Sequence, residues 1–209
     1  MEKELYIIRH GQTDFNLKGI VQGRGVDSPL NEMGEKQAEA FYTYYKDVRF
    51  DKIYTSTLLR THQTVAPFLK EGIPMEQLEG LDEIGWGVYE GKEQTAKIME
   101  GFADLTARWR NGELDVCVDG GETPNQLLRR QQNALNHILS STPAEKKVLI
   151  CMHGRAMRVF LCLLTNREIA LMDDFPHTNT ALYIVRYDDS GSFIEDAYNI
   201  QHLAELLTE

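Results

Sequence analysis

The chain has 209 residues, of which 42% are hydrophobic and 26% charged, an ordinary globular composition with enough length to bury a sizeable core. A formal net charge of −10 excludes a general nucleic-acid binder, which needs a basic surface. No apolar run approaches the length that spans a bilayer, and Cys117, Cys151 and Cys162 show neither zinc-site spacing nor an even disulfide count, so they read as packing residues.

Met1-Glu2-Lys3-Glu4 leads into Leu5-Tyr6-Ile7-Ile8, a continuous apolar run that reads as a buried strand. The run is too short for a signal-peptide core, which makes the cytoplasm the expected location. The strand stops at Arg9-His10-Gly11. Asn31 caps a helix from Glu32, striped by Ala38, Phe41, Tyr42 and Tyr45. A second short strand, Lys52-Ile53-Tyr54-Thr55, precedes a helix over about residues 58–69, with a Ser or Thr of residues 55–57 as N-cap and Arg60 in its first turn. Residues 73–81 read as extended.

A helical pattern over residues 93–111, carrying Ile98, Phe102 and Trp109, sits in a lid-like insertion at about 92–121 that ends at Gly120-Gly121. Thr123 opens a long helix that passes Leu127, Leu135 and Leu139 and stops near Pro143. Residues 148–152 form the clearest strand. It runs into His153-Gly154 and then a helix carrying Val159, Phe160 and Leu163. Residues 181–187 are a strand, 188–191 a turn, and 193–197 the returning arm of a hairpin.

Strands alternating with helices predict a single domain over 1–209 of α/β class, a three-layer sandwich with a mostly parallel central sheet flanked by helices. Ligands of such sheets sit beyond the carboxyl ends of the strands. Three strands end there on residues suited to an anion: Arg9-His10, Ser56 to Arg60, and His153-Gly154. Because the global charge repels anions, the site must be locally basic. Arg60 in the first turn of a helix opposes the helix dipole unless an anion binds there.

A fourth segment, Asp82-Glu83-Ile84-Gly85-Trp86-Gly87, offers a carboxyl partly desolvated beside Ile84 and Trp86, suited to general acid work. Each segment alone reads as an ordinary strand end or loop. Together, two histidines, two arginines and a carboxyl make a phosphoryl-transfer set, because that chemistry depends on charge stabilisation and positioning and Arg grips phosphate oxygens in pairs.

With these residues in view, the chain resembles the phosphatase branch of the histidine phosphatase superfamily, the phosphoglycerate mutase-like family, over nearly its whole length. Arg9-His10-Gly11-Gln12-Thr13-Asp14-Phe15-Asn16 matches the opening motif. Gln22-Gly23 with Asp27-Ser28-Pro29-Leu30 matches the next segment, and Gly34-Glu35-Lys36-Gln37-Ala38 the helix after it. Ser56 through Thr64 matches the second basic motif. Glu83, Gly87, Glu90 and Gly91 match the acid loop, Gly120-Gly121-Glu122-Thr123 a later segment, and His153-Gly154 the last motif. An ordered series of such motifs outweighs any single tripeptide.

The resemblance implies that His10 attacks phosphorus as a neutral imidazole, its other nitrogen held by a backbone carbonyl. Arg9, Arg60 and His153 would stabilise the phosphoryl oxygens, and Glu83, chosen over Asp82 on the motif, would protonate the leaving oxygen. Asn16 and the Gly154 N–H would touch phosphate. Gln22 and Gly23 would shape the substrate end, with Tyr89 and the 93–111 helix as lid elements. Asn179 is a weaker contact candidate, while His62, His137, His177 and His202 read as structural or surface residues. No metal and no cofactor is implied.

The expected partner is a small phosphorylated substrate, such as a sugar phosphate or nucleoside-derived phosphate, with no nucleic acid or membrane. Tyr42, Tyr44 and Tyr45 leave room for a homo-oligomeric interface. A phosphoglycerate mutase would use the same core residues but carry a basic, proline-bearing insertion and a closing tail. Here residues 92–121 lack proline and the tail is short and acidic, so hydrolysis is favoured. A catalytically silent binding module would require one of the five core residues to be missing or blocked. A dinucleotide binder lacks its Gly-x-Gly-x-x-Gly run.

Overall fold

A computed structural model describes residues 2–140 and 145–206. Strand β1 (Lys3–Arg9) is followed by a short helix α1 (Asp14–Leu17), helix α2 (Glu32–Tyr45), strand β2 (Lys52–Thr55), helix α3 (Leu59–Leu69) and strand β3 (Met75–Gln77). Helices α4 (Ala96–Arg110) and α5 (Pro124–Ser140) come next. Strand β4 (Lys147–Met152), helix α6 (Gly154–Leu164) and the hairpin β5 (Leu182–Asp188) and β6 (Gly191–Asn199) complete the domain.

Among the described residues six strands form one sheet in the order β3-β2-β4-β1-β5-β6. β3, β2, β4 and β1 run parallel, and β5 and β6 form an antiparallel pair at the far side of β1. This is the mostly parallel sheet flanked by helices that the strand–helix alternation predicts. The two central strands are apolar on both faces because both faces are covered. Leu5, Ile7, Val148 and Ile150 pack with α5 and α6 residues such as Leu127, Ile138 and Phe160. Their neighbours Tyr6, Ile8, Leu149 and Cys151 pack on the opposite face with Phe41, Val65 and Phe68 of α2 and α3. The period-two alternation along β1 and β4 thus sorts one continuous apolar run into two cores.

Several boundaries differ from expectation, each for a local reason. Only Met75–Gln77 of the extended 73–81 stretch joins the sheet, and Glu79–Leu81 tightens into a 3-10 turn. α4 begins at Ala96, where the Thr95 hydroxyl accepts the Ile98 N–H. α3 is capped by Leu58 without a side-chain bond, so neither Ser56 nor Thr57 serves as its N-cap. Instead Leu59 N–H donates to the Asp27 carboxylate at 2.7 Å. α1 was not expected. It forms because Thr13 and Asn16 make a reciprocal capping box. Thr123 does open α5, exchanging bonds with Gln126. The predicted stop at Pro143 lies outside the described residues.

Of the three tyrosines, Tyr45 is buried against Tyr6 and Phe41, Tyr42 is half-buried, and Tyr44 is exposed. Cys151 and Cys162 are buried as packing residues, but Cys117 is exposed, so that reading fails for it. Among the described residues no helix is long and apolar enough to cross a membrane.

Candidate active site

Because β1, β2 and β4 are parallel, their carboxyl ends open on one edge of the sheet, and the loops that leave them converge. A cleft of ≈ 200 Å³ lies there, lined by seven of the nine expected site residues: Arg9, His10, Asn16, Gln22, Arg60, Glu83 and Gly154. His153 and Gly23 are set back from its wall.

His10 leaves β1 with 3% exposure. Its backbone is fixed by Met152 O, 3.0 Å from the His10 N–H, and by the Asn179 amide, 3.0 Å from the His10 carbonyl. The chain then turns at Gly11, where a side chain would collide with the backbone of Gly34 at the start of α2. The turn brings Gly11 O within 2.7 Å of His10 Nδ1. A carbonyl accepts, so Nδ1 carries the proton and Nε2 keeps its lone pair. Burial first, then the charges of Arg60 and Arg9, hold the imidazole pKa well below its ordinary value.

Arg60 is fully buried. Its Nε donates to His153 Nδ1 at 3.2 Å, Nη1 to Val26 O at 2.7 Å, and Nη2 to Gly23 O at 3.4 Å. His153 Nδ1 is therefore an acceptor, which puts the ring proton on Nε2, where it donates to Ser56 Oγ at 2.8 Å. Burial and Arg60 keep this ring neutral. Both nitrogens of His153 are thus engaged, and it stands behind Arg60, 5.1 Å from the His10 ring between centroids. The bond from Nε fixes the Arg60 guanidinium against the His153 ring.

Arg9 donates from Nη1 to His177 Nδ1 at 3.1 Å, while its buried Nε has no hydrogen-bond partner among the described residues. Burial, outweighing the attraction of Glu83, pushes the guanidinium pKa down to about 10. His177 lines the cleft, and burial followed by Arg9 brings its pKa to about 2. Reading His177 as a structural or surface residue is corrected here: residues 175–181 return to the end of β1 and bring it to Arg9.

The two adjacent acids diverge. Asp82 faces away from the cleft, accepting from Thr57 N at 2.8 Å and Thr57 Oγ1 at 2.9 Å, with Arg24 at 3.5 Å. Glu83 faces the cleft. It accepts from its neighbour Ile84 N at 2.9 Å and from Arg155 N and Ala156 N at 3.1 and 2.8 Å. The last two are free donors in the first turn of α6, where a carboxylate also suits the helix dipole. Glu83 is 7% exposed beside buried Ile84 and Trp86.

Asn16 Oδ1 accepts from Thr13 N and from the Asn179 amide, both at 3.2 Å. Gln22 donates to Thr13 Oγ1 at 2.8 Å and accepts from Ser28. Gly23 does not shape the cleft wall: it lies against the Glu90 carboxylate, where a Cβ would collide, and offers its carbonyl to Arg60. Asn179 supports His10 and Asn16 from behind. The next residue, buried Thr180, adopts φ 56°, a left-handed backbone that a β-branched residue rarely takes, and its N–H reaches Arg9 O at 3.1 Å.

The remaining wall consists of Ile20, Val21, Trp86, Gln94, Phe102 and Arg155; Gln94 and Phe102 lie in the 93–111 stretch expected as a lid element and Trp86 in the acid loop, while Ile20, Val21 and Arg155 had not been singled out. Trp86, Phe102 and Trp109 form an aromatic stack that seats α4 on the core. Phe102 of α4 thereby becomes cleft wall, while Tyr89 packs on Phe102. Arg155 lies over Trp109 and pairs with Asp173. A periodic apolar stripe signals that Phe102 and Trp109 are inward, but not what they face.

His10, His153, His177 and His202 all have depressed pKa values, with burial the leading cause and His202 at about 4. The unfolded chain protonates each near pH ~6.5, so below that pH it binds more protons than the folded state, and stability must fall as pH falls. The expected slope approaches about 1.4 kcal/mol per pH unit for each neutral histidine between that pH and its folded pKa. Urea unfolding at pH 7.5, 6 and 5 measures it. Stability unchanged over that range would contradict the neutral-histidine assignment.

Residues 5–200 match the model of the histidine phosphatase superfamily (branch 1). The chain is 34% identical over 213 residues to the broad-specificity phosphatase YOR283W of Saccharomyces cerevisiae, covering 96% of this chain and 87% of that protein. It is 29% identical over 214 residues to the probable phosphoglycerate mutase GpmB of Proteus mirabilis, covering 97% and 96%. Among solved structures, Bacillus stearothermophilus YhfR superposes with a TM-score of 0.82 at 26% identity, covering 96% of this chain and 99% of that one. Fold, strand-end site and a family match over almost the full length agree: the chain belongs to the histidine phosphatase superfamily, branch 1.

Proposed function

We propose that the protein is a cytoplasmic, metal-independent phosphatase that hydrolyses small phosphomonoesters through a phosphohistidine on His10. The observation that carries this reading is the 2.7 Å bond from His10 Nδ1 to Gly11 O, which leaves Nε2 unprotonated in a cleft that the guanidiniums of Arg9 and Arg60 also line. The unpartnered Arg9 Nε supports an anion in the same place.

His10 Nε2 attacks phosphorus, the ester P–O bond breaks, and the leaving oxygen takes a proton from Glu83. Arg9 and Arg60 stabilise the charge on the phosphoryl oxygens, His153 holds Arg60, and Asn16 and the Gly154 N–H orient the group. Water then attacks the phosphohistidine and gives a proton to the Glu83 carboxylate. Inorganic phosphate leaves and His10 returns to its neutral form. Glu83 has the role and Asp82 does not, because only Glu83 reaches the cleft.

The apolar wall of Ile20, Trp86 and Phe102, with Gln94 and Arg155 beside it, suits a compact organic group such as that of a sugar phosphate. A mutase would use the same core residues but keep water from the phosphohistidine. Similarity to a broad-specificity phosphatase over 96% of the chain supports hydrolysis.

Phosphate release from a panel of small phosphomonoesters in excess EDTA tests the reading, and multiple turnovers from at least one ester are expected. No release from any of them, 3-phosphoglycerate included, would overturn the hydrolase assignment.

A further inference from the structure

Arg130 belongs to α5, on the far side of the acid loop from the cleft, and touches no reacting group. Its guanidinium nevertheless makes an unusual set of contacts. Nη1 donates to the carbonyls of Glu79, Gly80 and Asp82 at 3.1, 3.0 and 2.9 Å, and Nη2 to the carbonyl of Glu83 at 2.8 Å. Nε and Nη2 also grip the two Glu122 oxygens at 2.8 and 2.9 Å, a bidentate pair with both side chains largely buried. Glu122 in turn accepts the Gly85 N–H at 3.2 Å and donates its own N–H to Gly85 O at 2.8 Å.

The two residues therefore grip the backbone on both sides of the Glu83–Ile84 pair. Residues 79–83 are a 3-10 turn and loop, which has few backbone bonds of its own and would otherwise be free to shift. Gly80 allows the approach, since a Cβ there would meet the Arg130 carbonyl at 2.7 Å. The Glu83 carboxylate is held by Ile84 and by two N–H groups of α6, and Arg130 holds the backbone that carries it. Proton delivery to a leaving oxygen tolerates little displacement.

We propose that Arg130 and Glu122 are positioning residues for Glu83: they clamp the loop so that its carboxyl meets the leaving oxygen. This rests on the reading of Glu83 as the acid. A positioning role predicts a dependence on the leaving group. Phenyl phosphate needs a proton for its departing oxygen far more than 4-nitrophenyl phosphate, whose nitrophenolate is stable without one.

The experiment compares kcat/KM for these two esters in wild type, Glu83→Gln, Arg130→Met, Arg130→Lys and Glu122→Gln, with thermal melts to verify folding. Glu83→Gln is expected to lose ~10²-fold more on phenyl phosphate than on the nitrophenyl ester. Arg130→Met should show the same selectivity at ~10-fold, and Arg130→Lys should not restore it, because an ammonium cannot bridge four carbonyls and a carboxylate. Glu122→Gln keeps the shape of the pair and serves if the Arg130 variants do not fold; it is expected to show the same selectivity.

Selective loss in Glu83→Gln with equal or no loss on the two esters in the folded Arg130 or Glu122 variants would overturn the clamp and leave the acid in place. Equal loss on both esters in Glu83→Gln would remove the acid role and the clamp with it.

Discussion

Replacing His10 by Asn is expected to lower kcat/KM by at least ~10⁴-fold, in the range seen when a catalytic nucleophile is removed. Asn retains a polar group of similar bulk at the end of β1, so the fold and the bond to Gly11 O have no reason to fail. What disappears is the lone pair at Nε2. Arg9 and Arg60 still bind phosphate, so a ligand such as inorganic phosphate should still raise the melting temperature of the variant.

A second readout separates chemistry from binding. Rapid quenching of wild type with a ³²P-labelled ester should trap a protein-bound phosphoryl group that is acid-labile and alkali-stable, as expected of a phosphoramidate. His10→Asn should trap none. Activity within ten-fold of wild type would place the nucleophile elsewhere. A phosphoenzyme that forms in wild type but hands its phosphoryl group only to a second ester, never to water, would favour the mutase.

Arg60→Met is expected to cost ~10³-fold in kcat/KM, the scale for loss of a single charged or hydrogen-bonding stabiliser of a developing anion. Methionine has comparable length and packs well in a buried site, so the comparison isolates the guanidinium. Burial depresses the Arg60 pKa even against the attraction of Glu83 and Asp27. A bound dianion stabilises a cation so placed.

The decisive measurement is the difference in melting temperature with and without saturating inorganic phosphate. It should be large in wild type and nearly absent in Arg60→Met. Using that difference removes the change in basal stability caused by leaving Val26 O and Gly23 O without their donor. An undiminished phosphate shift would mean that Arg60 is a structural cation and that Arg9 alone carries recognition.

These expectations differ in how directly they could be read. Strands β1 and β4 were visible because an unbroken apolar run is a local property. So was the long helix α5, whose cap and stripe lie within one segment. The charged groups that follow the strands were legible for the same reason, since the carboxyl edge of a parallel sheet collects whatever follows each strand. Even α1 had a signal that went unread, the Thr13/Asn16 capping pair.

Lateral order was not legible. β4 inserts between β1 and β2 because its two faces are the most apolar and need cover on both sides, a comparison among distant segments. Motif matching favoured Glu83 over Asp82; what separates them in space is that one acid meets the first turn of α6 and the other Thr57 before α3. His177, Arg155, Gln94 and Phe102 reach the cleft from segments far apart in the chain, and Arg130 clamps the acid loop from the opposite side. Local pattern and motif order determined the elements, the family resemblance and the charged groups at the strand ends. Tertiary packing alone decided which nitrogens are free, which acid faces the cleft and what walls it, because those depend on contacts that no neighbouring residue encodes.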